Sequence, residues 1–353
     1  MKMAFVHDYL SEAGGAERVL RVLSDMYPSA PIYTAFAKRG TARAMFHDCQ
    51  IVESKWAWLL KMGRAYSYLR FLLPWVWKNM DLTKYDLVIT SCSGYIARGF
   101  RVGNKTKVIA YCHTPPRWLY GYDTSTGASK RWWGRVFMWV VGPFMRYFDY
   151  MSAQRVDTWV ANSKEVARRI EKFYRKKAVV VWPPIEIQSQ KFRSSLGYYL
   201  IVSRIVGGKG IEEADQAAES GGWRLCIVGE VVDTKMASRL INYEGSVNER
   251  ELSQLYARAR GFIALAQDED FGMTVVEAMS CGTPVLAYNG GGYRETVVPG
   301  KTGIFTQSLR AKEIGEGIKE MESIKWDREA IKKWAGRFGR ARFEQKIRKI
   351  VEE

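Results

Sequence analysis

The sequence predicts an α/β protein of two domains, each a parallel sheet covered by helices. Three observations predict it. Short apolar runs at 85–94, 178–187 and 261–266 read as buried strands, and helical spacing of apolar residues recurs between such runs. A Pro-Pro break within residues 182–186 interrupts this alternation near mid-chain, and prolines end regular structure, so it reads as a linker. The length, 353 residues, suits two domains that can each bury a core. The domains are placed at 1–183 and 184–329, with a helical tail of mixed charge at 330–353.

Bulk composition excludes several classes. The hydrophobic fraction of 47% is that of a globular chain. The first apolar run is broken at His7-Asp8, which argues against a signal peptide. No stretch offers the roughly 18 uninterrupted apolar residues of a membrane span. Cys49, Cys92, Cys112, Cys226 and Cys281 are scattered without a CxxC pair, which fits a reducing cytoplasm and argues against a zinc site. Charge is unevenly placed. Residues 1–180 hold 29 Lys and Arg against 13 Asp and Glu, so nearly all of the net +17 sits in the first half. That half therefore calls for an anionic partner, either a membrane surface or a nucleic acid.

In chain order, residues 2–6 form a strand, and Gly14-Gly15 precedes a helix carrying Val19, Leu20, Val22 and Leu23. A glycine pair there admits close backbone approach at a helix N-terminus, or is simply a turn. Residues 55–78 and 130–148 are aromatic and basic together, a composition that suits the membrane interface; the alternative is aromatic core. Pro143 and Arg135 disqualify the second stretch as a spanning helix. His113 stands just after the strand at 107–112, where a Rossmann-type domain places functional side chains. Asn162-Ser163 caps a helix. In the second half, Arg204 and Lys209 flank glycines after the strand at 198–202, a pair suited to a diphosphate. Gly245, Ser246 and Val247 precede a helix with Glu249 and Glu251 in its first turn. Asp268-Glu269-Asp270 closes the strand at 261–266, Phe271-Gly272 turns the chain, and a helix from Met273 carries Glu277. Such a turn holds sugar hydroxyls and phosphate, or is an acidic cap on an ordinary helix. Gly300-Lys301-Thr302 looks like a P-loop, but Glu295 stands where its first glycine belongs.

The words Glu269-x7-Glu277 with Phe271-Gly272 inside, EAMSCGTPV from Glu277, and Arg204-x4-Lys209 together resemble the retaining GT-B glycosyltransferases of family GT4. The word CHTPPR around His113 resembles a subgroup that includes bacterial mannosyltransferases of O-antigen and exopolysaccharide assembly. The resemblance covers the second domain throughout and the first mainly at its sheet-end loops. It implies a GT-B fold, two Rossmann-like domains facing across a cleft that closes on the donor. The tail is expected to pack back on the first domain through Trp334, Phe338 and Phe343.

The resemblance also implies roles. Gly14 and Gly15 lie against the donor diphosphate, and Arg204 and Lys209 stabilise the charge that grows on it. His113 lies beside the transferred sugar. Glu269 binds sugar hydroxyls, with Phe271, Gly272 and Met273 offering backbone N–H groups. Glu277 holds the ribose, and Val247 borders the nucleobase. Arg117, Tyr120 and Asp123 are placed toward the acceptor. No second carboxylate stands as a nucleophile, in keeping with front-face retention. No metal or other cofactor is expected. The implied reaction moves a hexose, mannose from GDP-mannose, to a lipid-linked or polysaccharide acceptor. It places the protein peripherally on an anionic inner membrane face through 55–78 and 130–148, with no nucleic-acid partner. The alternatives are a UDP-sugar-dependent enzyme with a soluble acceptor, a basic nucleic-acid-binding protein, and a non-catalytic sugar-nucleotide binder.

Overall fold

The computed structural model describes residues 1–38, 40–62, 69–122, 132–186, 196–237 and 242–353. The chain divides into two compact units, Met1–Trp182 with Glu344–Glu353, and Pro183–Phe343. The first holds a seven-stranded sheet: β1 (Met3–His7), β2 (Ile32–Thr34), β3 (Ile51–Glu53), β4 (Leu87–Cys92), β5 (Lys107–Cys112), β6 (Thr158–Ala161) and β7 (Ala178–Val180). Its spatial order is β3-β2-β1-β4-β5-β6-β7, every pair parallel. The second holds β8 (Tyr198–Val202), β9 (Arg224–Val228), β10 (Tyr243–Gly245), β11 (Gly261–Ala264), β12 (Val285–Tyr288) and β13 (Gly303–Thr306). Its order is β10-β9-β8-β11-β12-β13, again all parallel.

Counted from its own first strand, each sheet runs 3-2-1-4-5-6, with β7 added at the edge of the first, the doubly wound order that reverses between its first and fourth strands. The central strands are buried along their length, as LVITSC in β4 and GFIA in β11, because helices cover both faces. The two reversal points, β1/β4 and β8/β11, are where an open sheet leaves a crevice for ligand.

Helices follow from the spacing of their apolar residues. Gly15–Met26 buries Val19, Leu20, Val22 and Leu23. Ser163 accepts the Val166 N–H at 3.0 Å and so starts Lys164–Tyr174. Trp132–Gln154 keeps Pro143 within one continuous helix. It buries Met145, Asp149 and Ala153 and leaves Trp132, Val136, Trp139, Val140, Phe144, Tyr147 and Met151 exposed. Within residues 55–78, Trp58 and Trp75 are exposed while Trp77 is fully buried, its indole N–H donating to the Tyr95 carbonyl at 2.8 Å. Residues 63–68 of that stretch, and 130–131 of the other, lie outside the described residues. No helix among the described residues is long and apolar enough to cross a membrane.

The tail does not behave as one piece. Trp334 donates its indole N–H to the Thr296 carbonyl at 2.7 Å, and the Phe338 ring meets Phe271 edge-on at 5.6 Å, so both pack within the second unit. Only Glu344–Glu353 groups with the first unit, where Lys107 reaches the Ile350 carbonyl and Lys346 that of Val180.

Candidate active site

In the second unit the carboxyl ends of β8 and β11 carry the charged residues. The chain leaves β8 through Ser203 and Arg204, and this exit is packed so tightly against Gly229 that a Cβ there would lie 1.8 Å from the Ser203 carbonyl oxygen. Arg204 is exposed. Lys209 Nζ lies 3.0 Å from Glu269 Oε2, each side chain about a quarter exposed, so the predicted phosphate cation and sugar carboxylate are brought into contact.

Glu269 is held by its backbone. Gly291 adopts φ +52°, and a Cβ on it would meet the Glu269 carbonyl oxygen at 2.2 Å. The Gly292 N–H donates to that same oxygen at 2.8 Å. The glycine run 290–292 is therefore a clamp of backbone on backbone that side chains would pry open. Gly272, at φ +89°, then caps the helix Met273–Ser280, which has no acidic residue in its first turn. Its N-terminal N–H groups and dipole face no carboxylate of their own helix turn, and such an end favours an anion. Phe271 is buried against Phe338, so only its backbone is placed to serve a ligand. Glu277 is buried one turn inside, its Oε2 accepting the Tyr256 hydroxyl at 2.9 Å. Val247 is half-buried just before Asn248, which caps the helix Glu249–Arg258 in a reciprocal box with Glu251.

In the first unit His113 follows β5 and is buried. The loop beyond it is fixed by the Trp118 indole on the Gly94 carbonyl at 2.8 Å and by Arg169 on Thr114 Oγ1 at 3.2 Å. Burial, and secondarily the nearby His7, lower the His113 pKa to about 3, so its imidazole is neutral at physiological pH. Its Nε2 lies 2.7 Å from Ser91 Oγ.

Gly14 and Gly15 stand where the sequence places them, at the start of Gly15–Met26, but the Gly14 N–H already donates to Glu17 Oε2 at 3.0 Å. The anion at this helix end is the chain's own carboxylate. Tyr120 gives its hydroxyl to Asp149 Oδ2 at 2.7 Å and stacks on Phe173 at 3.9 Å, so its polar end is engaged within the unit. Arg117 is half-buried in the short 3-10 turn Arg117–Leu119. Asp123 lies outside the described residues.

Four residues of this neighbourhood escape the sequence reading: His7, Asp8, Glu17 and Ser91. Asp8, at the end of β1, collects Ser93 N–H and Oγ–H, Tyr95 N–H and Ala97 N–H, all within 3.0 Å, and so shapes the loop after β4. The available signal was a polar His-Asp pair closing an apolar strand. Among the described residues no group of three or more His, Cys, Asp and Glu is placed to hold a metal ion.

Residues 13–188 match the family model described as Glycosyltransferase Family 4, and residues 184–337 that of Glycosyl transferases group 1. An uncharacterized glycosyltransferase of Methanocaldococcus jannaschii is 21% identical over 223 residues, 59% of this chain and 63% of that one. A GDP-mannose-dependent alpha-mannosyltransferase of Mycobacterium tuberculosis is 32% identical over 106 residues, 29% of this chain and 28% of the relative. The O-antigen chain mannosyltransferase B of Escherichia coli is 38% identical over 68 residues, covering 19% and 18%. The matched stretches thus span less than two thirds of the length of each of these relatives. Among solved structures, Anabaena HepE in complex with UDP-glucose superposes with a TM-score of 0.70 at 15% identity over 100% of both chains. Sucrose-phosphate synthase from Thermosynechococcus elongatus gives 0.68 at 15%, over 98% of this chain and 94% of that one. At these identities the likeness is one of fold.

Proposed function

This chain belongs to the family 4 glycosyltransferases and has their two Rossmann-like domains, and we propose that it transfers a hexose, mannose from GDP-mannose, with retention of configuration, to a lipid-linked or polysaccharide acceptor at the cytoplasmic membrane face. The observation that carries the reading is the Lys209–Glu269 contact at the β8/β11 reversal, beside the N-terminus of Met273–Ser280, whose first turn holds no acidic residue.

In this reading the nucleotide diphosphate exchanges places with Glu269 as the partner of Lys209, and Arg204 adds a second cation. Glu269 is then released to the sugar hydroxyls. Negative charge grows on the diphosphate as the anomeric C–O bond breaks, and fixed cations and helix N–H groups stabilise it without a divalent metal. The acceptor oxygen attacks from the same face, its proton passing to the departing phosphate oxygen. Glu277, steadied by Tyr256, meets the ribose, Val247 borders the base, and His113 and the Gly14-Gly15 loop belong to the sugar and phosphate side. The mannose assignment rests on the CHTPPR word and the two mannosyltransferase relatives. The membrane assignment rests on the exposed stripe of Trp132–Gln154 in a half-chain of strong positive charge.

Calorimetric titration with GDP, UDP and ADP in EDTA, on wild type and Lys209→Ala, tests this. One nucleotide should bind, and the variant should bind it about tenfold to a hundredfold more weakly, the loss of a charge-assisted contact. UDP as the ligand would replace mannose from GDP by a UDP-sugar. No binding by any of the three would refute the donor site.

A further inference from the structure

The helix after the glycine loop and the ends of β1, β4 and β5 carry four buried polar side chains that form a line. Glu17 Oε2 accepts the Gly14 N–H at 3.0 Å, and Glu17 Oε1 lies 3.5 Å from His7 Nε2. His7 Nδ1 lies 3.0 Å from Ser91 Oγ, and Ser91 Oγ lies 2.7 Å from His113 Nε2. The register sets this up, since His7 is opposite Ser91 on the paired strands β1 and β4, and His113 directly follows β5 on the other side of β4. All four residues are at most 9% exposed. Removing four polar groups from water is costly unless each is satisfied by the next.

We propose that Glu17, His7 and Ser91 are positioning residues that fix the His113 tautomer, with hydrogen on Nε2 and a lone pair on Nδ1. The direction follows from the donor inventory. A carboxylate only accepts, so His7, with one hydrogen on its ring, turns that hydrogen toward Glu17 and its Nδ1 is left with a lone pair. The hydrogen in the His7–Ser91 contact must then come from the Ser91 hydroxyl. The Ser91 oxygen in turn accepts from His113 Nε2–H. A neutral imidazole has one N–H, so His113 Nδ1 is an acceptor. Whatever meets His113 through Nδ1 must donate a hydrogen bond. A sugar hydroxyl does so, and an ionised phosphate oxygen does not. This last consequence rests on the transferase reading; the tautomer itself does not.

The chain has three histidines, so ¹⁵N-resolved spectra of the imidazoles can be assigned by replacing each in turn. Wild type should show His113 and His7 each as a single Nε2–H tautomer. Ser91→Ala and Glu17→Gln should turn His113 into a tautomeric mixture, and Ser91→Thr, which keeps the hydroxyl, should restore the single form. If the donor site is as proposed, Glu17→Gln also lowers kcat on the order of tenfold to a hundredfold. A His113 carrying hydrogen on Nδ1 in wild type, which needs no variant to fold, would overturn the proposal. So would a tautomer that neither Ser91→Ala nor Glu17→Gln disturbs. A tautomer that shifts while kcat does not would sustain the relay and count only against His113 facing the sugar.

Discussion

Acidification should destabilise the protein through His113 in a way that can be isolated. Its folded pKa is about 3 against 6.5 for a free imidazole, lowered first by burial and then by His7. The unfolded chain therefore binds a proton below 6.5 that the folded chain refuses, and the stability held by the neutral buried ring is fully present above 6.5 and lost as pH falls. Each pH unit between those values costs about 1.4 kcal/mol. Lowering the pH from about 7.5 to about 4.5 crosses roughly two such units, a loss of about 2.7 kcal/mol from this one side chain.

The perturbation is His113→Asn, which removes the titration and keeps a small polar side chain. Urea unfolding of both proteins at the two pH values, followed by circular dichroism and tryptophan fluorescence, gives four stabilities. Their double difference cancels titrations that the two proteins share. Wild type should lose about 2.7 kcal/mol more than the variant over that range. A double difference below about 0.5 kcal/mol, the usual scatter of such comparisons, would mean that the folded protein lets His113 charge freely. A difference of opposite sign would mean that the ring is held charged.

Three further outcomes are expected. Asp149→Ala removes the partner of buried Arg98 and the acceptor of Tyr120 and Tyr174, and should cost about 3–5 kcal/mol of unfolding free energy in the same urea assay. Trp139 is 80% exposed, so Trp139→Ser should leave the melting temperature unchanged while weakening sedimentation with vesicles of anionic lipid by about tenfold; unaltered sedimentation, or binding indifferent to lipid charge, would remove the membrane reading. Gly291→Ala should lower sugar-transfer turnover by about tenfold or more by displacing Glu269 from the sugar hydroxyls, whereas Gly300→Ala, also at positive φ but with open space around its would-be Cβ, should cost only about 1–2 kcal/mol of backbone strain and leave turnover intact.

Much of the fold was legible because buried parallel strands are continuous apolar words. LVITSC, KVIAYC, YYLIV and GFIA each read as a strand and each is one. The strands that went unread are β2, β3 and β10, three residues long with β3 only half-buried, and β12 and β13, four residues long. Three residues carry too little periodicity to distinguish a strand from a loop, and neighbouring strands, not local preference, make them pair. The tail misled for a related reason. Trp334 and Phe338 announce burial, but an aromatic side chain does not say which surface receives it. Here a carbonyl at Thr296 and the face of Phe271 decide in favour of the second unit.

The candidate residues of the two units differ in legibility because the two sets are built differently. Arg204, Lys209, Glu269 and Glu277 lie in compact words of fixed spacing, since a loop at a strand end must meet its ligand with consecutive residues. The His113 side is assembled across the sheet. Its members, at 7, 17, 91 and 113, come from three strand ends and a helix, and no spacing between them repeats. Apart from His113, which its place after β5 and the CHTPPR word single out, each alone reads as an unremarkable polar residue. The strand order converts sequence separations of 84 and 22 residues into contacts of 3.0 and 2.7 Å. The same order explains why Glu17 occupies the helix end predicted for phosphate. Gly14 gives its N–H to a residue three positions on, and that residue's other oxygen approaches the histidine at the end of the adjacent strand. A phosphate arriving at the glycine loop would have to displace Glu17 or share the site with it. Either event would perturb the line of polar contacts to His113, so occupation of the loop and the state of that imidazole are coupled by construction.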